Sequence, residues 1–215
     1  MDKEHATIIG GSSQQNTVIK IPNDPTEYLS PEGYVELVQE AKNHREFQLA
    51  IAKLKRAEHI PDWLAVPKVS KAPDELPSSP EDMLYIMEKV HGISLKRLAF
   101  LRIPRLREKL CPFSESEIRH LSELAFYVLL KKRKITTDEF QTSSGLVPPL
   151  FFEVFTPYTD MGEKFQHLED ILVYMKDHEK VIHTDLHSDN ILIDEETETL
   201  YLIDFGIVIT SSYQG

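Results

Sequence analysis

Residues 183–206 read HTDLHSDNILIDEETETLYLIDFG. A loop carrying His183, Asp185 and Asn190 runs into an apolar stretch, Ile191-Leu192-Ile193. A polar turn follows from Asp194 to Thr199, then a second stretch, Leu200 to Ile203, that ends on Asp204, Phe205 and Gly206. Two such stretches about a polar turn predict paired strands. The pair would hold two carboxylates and one amide at the strand mouths. Oxygen donors of this kind suit a hard cation such as Mg²⁺, which commonly sits on one or two carboxylates plus the phosphates of a substrate. An ordinary hairpin with solvated acids is the bland alternative.

The spacing H-x-D-x-x-x-x-N, an apolar strand and then I-D-F-G resembles the catalytic loop and magnesium motif of the protein kinase-like fold. The resemblance implies an α+β chain in two lobes. A small β-rich N-lobe would span residues 1–88 and a mainly helical C-lobe residues 89–215, truncated after the magnesium motif. It implies ATP and Mg²⁺ as cofactors. Asp185 matches the loop aspartate that orients the acceptor hydroxyl and takes its proton, and Asn190 and Asp204 match the metal ligands. His183 matches a histidine that packs and bonds the loop. A cluster of His183, His187 and Asp189 around another metal is the competing assignment, disfavoured by irregular loop spacing.

Upstream, ATIIGGSSQQNTVIKIP (residues 6–22) predicts a hairpin, two β-branched runs flanking a Gly/Ser/Gln turn. By the resemblance its V-I-K makes Lys20 the strand lysine on the ATP phosphates. Gly10, Gly11 and Ser12 match a shortened phosphate-covering loop, where missing side chains let backbone N–H groups approach phosphate. The full G-x-G-x-x-G is absent, a departure from the family. Residues 32–56 predict one or two helices, with Phe47, Ala50, Ile51 and Leu54 on one face. The resemblance asks this segment for a glutamate that pairs with the lysine. Glu46 is chosen from the match of EFQLAIAKL, with Glu40 in reserve.

WLAVPKV (residues 63–69) reads as a strand and residues 71–82, rich in Pro, as a loop. MLYIMEKVHGISL (residues 83–95) resembles the strand and hinge that join kinase lobes, with Met87 before the hinge and the backbone of Glu88 and Val90 facing adenine. Ser114 and Glu117 form a capping-box pattern. Behind it Ile118, Leu121, Leu124, Ala125 and Val128 predict a helix closed by KKRK (residues 131–134), cations that favour a helix C-terminus. A further helix over residues 163–178 leads into the loop.

Composition narrows the class. The chain has 215 residues, a formal net charge of −11 and 41% hydrophobic residues, enough for one or two small cored domains. The acidic balance argues against general nucleic-acid binding, which needs a basic face. A single cysteine, Cys111, excludes an internal disulfide. No apolar run reaches the length of a membrane span, and MDKEHATIIGG lacks the pattern of a conventional signal peptide. The expected compartment is cytoplasmic, although a non-classical secretion signal would leave no trace in such a reading. Oligomeric state is not legible.

The resemblance thus implies an ATP- and Mg-dependent phosphotransferase, read first as an atypical or minimal protein kinase acting on protein Ser/Thr hydroxyls. His187, two residues after Asp185, makes the loop D-L-H-x-x-N, which also resembles aminoglycoside and choline phosphotransferases. Those act on small-molecule alcohols. No A-P-E occurs in the nine residues after Gly206, so the peptide-docking platform is expected to be missing. An ATP-binding pseudokinase acting as an interaction module is the third reading.

Overall fold

The computed structural model describes residues 6–10, 17–22, 31–72, 84–135, 159–206 and 208–209. In chain order these hold β1 (Ala6–Gly10), β2 (Thr17–Pro22), α1 (Pro31–Arg56), β3 (Leu64–Ala65), β4 (Val69–Lys71), β5 (Tyr85–Glu88) and β6 (Ile93–Ser94). There follow α2 (Leu95–Arg102), α3 (Pro104–Leu110), α4 (Glu115–His120), α5 (Glu123–Lys132) and α6 (Thr159–His178). The last described elements are β7 (Ile182–His183), β8 (Ile191–Asp194), β9 (Thr199–Leu202) and β10 (Val208–Ile209). The chain is α+β.

The first sheet has the order β1-β2-β5-β4. The expected hairpin is present, with Ile8 opposite Lys20 and Ile9 opposite Ile19. β5 pairs with β2 on its other side and sets Tyr85 opposite Lys20. Lys20 therefore sits on an inner strand, flanked on both sides, rather than at a solvated edge.

The second sheet has the order β3-β9-β8-β6. Its centre is the β8–β9 hairpin, with Ile191 opposite Leu202 and Ile193 opposite Leu200. Asp194 Oδ1 closes the turn by accepting from Glu196 N at 3.0 Å and Thr197 N at 3.2 Å, the local competition with backbone that favours Asp in turns. Gly92 permits β6 to lie against β8. A Cβ there would stand 2.9 Å from the carbonyl oxygen of Ile193.

Three expectations change. The strand expected over 63–69 is two short strands in different sheets: β3 pairs with β9, and β4 with β5. Pro67 between them has no N–H to continue a ladder. The helix expected behind Ser114 is also two. Ser114 and Glu117 do form the capping box, but α4 ends at His120 and Ser122 caps α5 by accepting from Ala125 N at 3.2 Å. A second serine cap within eight residues competes with helix continuation, and Val128, assigned to the buried face, is exposed. Finally, α6 begins at Thr159 rather than at 163. Most of the proline-rich loop and residues 136–158 lie outside the described residues.

α1 joins two apolar clusters. Leu37 and Ala41 pack with Ala72 and Tyr85 against the first sheet. Phe47, Ala50, Ile51 and Leu54 enter the larger cluster with α2, α6 and the second sheet. At 26 residues α1 is about 39 Å long, enough to serve both. Between the clusters its buried face turns polar, with Glu40, Asn43 and His44 all buried. Among the described residues no helix is long and apolar enough to cross a membrane.

Candidate active site

The polar middle of α1 faces Lys20 and the end of β9. Lys20 Nζ lies 2.5 Å from Glu40 Oε1 and 3.2 Å from Asp204 Oδ1. Lys20 and Glu40 are buried, and the Asp204 side chain is 45% exposed. Burial alone would lower the lysine, but the charges of Glu40 and Asp204 outweigh it and hold the ammonium above its usual range. Partial burial works to raise Asp204. The Lys20 charge and hydrogen bond, with help from His183 and the Gly206 N–H, hold it below the usual carboxylate range. The site thus presents a fixed ammonium and an ionised carboxylate whose outer side meets solvent.

The glutamate is Glu40, the reserve assignment; Glu46 lies exposed on the same helix. The signal was legible. A heptad before the buried Phe47 stands Glu40, about 20° from it round the helix, whereas Glu46 is about 100° away.

Asp204 reaches Lys20 through backbone geometry. Its φ is 61°, in the left-handed region where Asp is one of the few side chains tolerated. The residues around it are fastened. Ile203 N donates to Asn190 O at 3.0 Å, and Ile203 O accepts from His183 Nε2 at 3.0 Å. Asn43 Nδ2 donates to Phe205 O at 3.0 Å. Phe205 is buried against His44, stacked at 4.3 Å, with Phe47 at 5.1 Å and His183 at 5.2 Å.

His44 is a neutral member of this column. Its Nε2 donates to Pro67 O at 2.8 Å, so Nδ1 accepts from the Tyr85 hydroxyl. Burial lowers its pKa to about 4. The unfolded chain, with an ordinary imidazole, therefore binds the extra proton first. Stability contributed by neutral His44 is intact above about pH 6.5 and drains away toward pH 4, by up to about 3 kcal/mol. Chemical denaturation from pH 7 to pH 4 is expected to show this slope. His44→Gln should lose the His44 share of it, the buried His183, whose pKa burial also lowers, keeping a slope of the same sign.

The H-x-D-x-x-x-x-N loop leaves β7, which pairs with β10 through His183 and Val208. Asn190 is buried, and its Nδ2 donates to the Asp185 carbonyl at 2.8 Å. That commits the amide nitrogen to the loop, so the other end of the amide is the oxygen. The Asp185 carboxylate is about half exposed. His187, the residue that suggested a small-molecule acceptor, is turned into the loop. Its Nε2 is 3.1 Å from Asn190 Nδ2 and its Nδ1 3.2 Å from Asp189 N.

Of the remaining expected residues, Gly10 ends β1 opposite Val18. Gly11 and Ser12 lie outside the described residues. Glu88 ends β5, and its N–H is taken by Lys68 O at 2.8 Å, so an adenine contact from its N–H is ruled out in this arrangement. Val90 lies in the segment between β5 and β6. Asn43, His44, Lys96 and Tyr127 were not singled out from the sequence. They come from helices with no motif, and only their tertiary partners reveal them.

A strand lysine tied to a helix glutamate and to the aspartate of I-D-F-G, beside an H-x-D-x-x-x-x-N loop, defines a protein kinase-like fold. Residues 160–214, roughly a quarter of the chain, match the family model of the ABC1 atypical kinase-like domain. The match takes in α6, the loop and Asp204 but not Lys20 or Glu40. A search of curated proteins finds no match.

Proposed function

We propose that this chain is an ATP- and Mg-dependent phosphotransferase, an atypical protein kinase acting on Ser/Thr hydroxyls of a protein. One observation carries the proposal: Lys20, buried, is paired at once with Glu40 and Asp204. That joins the first sheet, α1 and the second sheet at one point. Two separate sheets and two apolar clusters support a division into two lobes, with β3 and the second half of α1, both before residue 88, belonging to the second sheet and the larger cluster.

The donor set fits magnesium. Among the described residues no group of three or more His, Cys, Asp or Glu could cage a metal. The half-exposed Asp204 carboxylate and the Asn190 amide oxygen would hold the ion together with the phosphates of ATP, which suits an ion that keeps few protein ligands. Bound there, Mg²⁺ neutralises charge on the transferring phosphoryl group. Lys20 neutralises α/β-phosphate charge, and Glu40 keeps the ammonium in place. Asp185 orients the acceptor hydroxyl and accepts its proton, a role worth about 10²–10⁴-fold in rate. Of the hinge pair, Glu88 would use its carbonyl and Val90 its N–H toward adenine. Gly10, Gly11 and Ser12 would cover the phosphates.

Incubation with Mg²⁺ and γ-labelled ATP is expected to label the protein itself or a protein in a lysate, and Asp185→Ala should abolish the label. Equal labelling of both, or none in either, sinks the protein-kinase proposal. The D-L-H-x-x-N loop motivates a second reading, a small-molecule phosphotransferase, which predicts ATP turnover stimulated by amino-alcohols or sugars without protein labelling. Binding of Mg·ATP with no turnover would favour a pseudokinase.

A further inference from the structure

We infer that Lys96 is a positioning residue for the catalytic loop. From the first turn of α2 it clamps Asp189, and through Asp189 the His187 and Asn190 side chains. The Lys96 side chain is 4% exposed and its ammonium is bonded to Asp189 Oδ2. The Tyr127 hydroxyl, from α5, donates to the same oxygen at 2.6 Å and lies 3.0 Å from Lys96 Nζ. The ammonium also stands 4.6 Å from the centre of the Tyr127 ring. A backbone bond from Lys96 N to Ser188 O at 3.1 Å adds a second tie one residue away. Two helices thus grip the loop at Ser188 and Asp189, immediately before Asn190.

The grip is passed inward. Asp189 N donates to His187 Nδ1 at 3.2 Å, Asn190 N donates to His187 O at 2.9 Å, and Asn190 Nδ2 donates to Asp185 O at 2.8 Å. Each step is a short polar contact, so displacement of Asp189 moves the amide that would face the metal. Stability does not account for Lys96. The first turn of a helix is unfavourable for a cation. Burying an ion pair is often no better than burying apolar groups of the same volume, and its best-attested use is to fix a register. Here the register fixed is that of the loop.

The consequence for catalysis rests on the phosphotransferase reading, whereas the ordering of the loop rests on geometry alone. The test therefore has two readouts. In Lys96→Met, amide hydrogen exchange over residues 185–190 should rise about tenfold or more, with the buried Leu168–Met175 stretch of α6 unchanged. Turnover should fall about tenfold or more while the KM for ATP stays within about twofold, the signature of lost orientation rather than lost binding. Tyr127→Phe, which removes one hydroxyl from a partly exposed ring, should move both readouts the same way by less. Lys96→Arg should restore part of each. Unchanged loop exchange in Lys96→Met overturns the inference, as does an equal rise at every amide. Should Lys96→Met fail to fold, unchanged loop exchange in Tyr127→Phe overturns it. If wild type itself shows no turnover with Mg·ATP, the phosphotransferase reading fails, and loop exchange still decides the role of Lys96.

Discussion

Replacing Lys20 by Met and Glu40 by Leu together should leave a folded chain that has lost phosphoryl transfer, at a stability equal to wild type or about 1–4 kcal/mol above it. The two side chains are buried and joined at 2.5 Å between β2 and α1. Desolvating both ions costs more than their attraction returns in many buried pairs, so an apolar pair of similar volume is tolerated. Lys20→Met alone should be much worse, about 3–5 kcal/mol, because it strands the Glu40 carboxylate in a buried site. Turnover should fall by about 10²–10³-fold in either variant, the usual loss when one fixed charge or donor at a transferring group is removed. Glu46→Gln, on the exposed side of α1, should stay within about 0.5 kcal/mol of wild type and keep its turnover. Urea denaturation alongside ATP turnover checks all three. A double variant that turns over ATP normally would show that Lys20 and Glu40 are a packing pair and no more.

Asp204→Asn should lower turnover by about 10²–10³-fold and raise the Mg²⁺ concentration needed for half-maximal rate, with a stability loss of about 1 kcal/mol or less. Asparagine is the informative substitution. At φ 61° it adopts the backbone as readily as aspartate, so the change isolates the carboxylate charge. Asp204→Ala should cost about 1–2 kcal/mol more, because alanine gains nothing in the left-handed region to offset its Cβ clash. The half-exposure of Asp204 keeps the stability effect small, since water screens its pair with Lys20. Rate against Mg²⁺ concentration, with thermal melting beside it, separates the two. Wild-type turnover at wild-type Mg²⁺ would remove Asp204 from the proposed metal site.

How far the sequence carried these assignments depended on how local the physics was. The β8–β9 hairpin was legible because the two apolar runs and the polar turn at Asp194 act within a dozen residues. Lys20 was legible as a strand residue by the same rule. Glu40 could have been read by carrying the helical stripe back from Phe47, but the stripe turns polar there. A search for apolar periodicity stops where Glu40, Asn43 and His44 begin. The break between α4 and α5 was likewise written in Ser122, hidden by an apolar pattern that ran straight across it.

What the sequence determined by itself was therefore the polar loop and the paired strands, since apolar runs and turn chemistry are properties of neighbours in the chain. Tertiary structure decided the partners. Lys20 and Asp204 stand 184 residues apart, Lys20 and Glu40 stand 20 apart, and Lys96 and Asp189 stand 93 apart. Each pairing depends on how sheets and helices bury their apolar faces together, which brings a charge to its counter-charge without leaving a local pattern. The same packing turned Asp204 left-handed toward the lysine and placed Phe205 in the core, so a three-letter motif became one corner of a site.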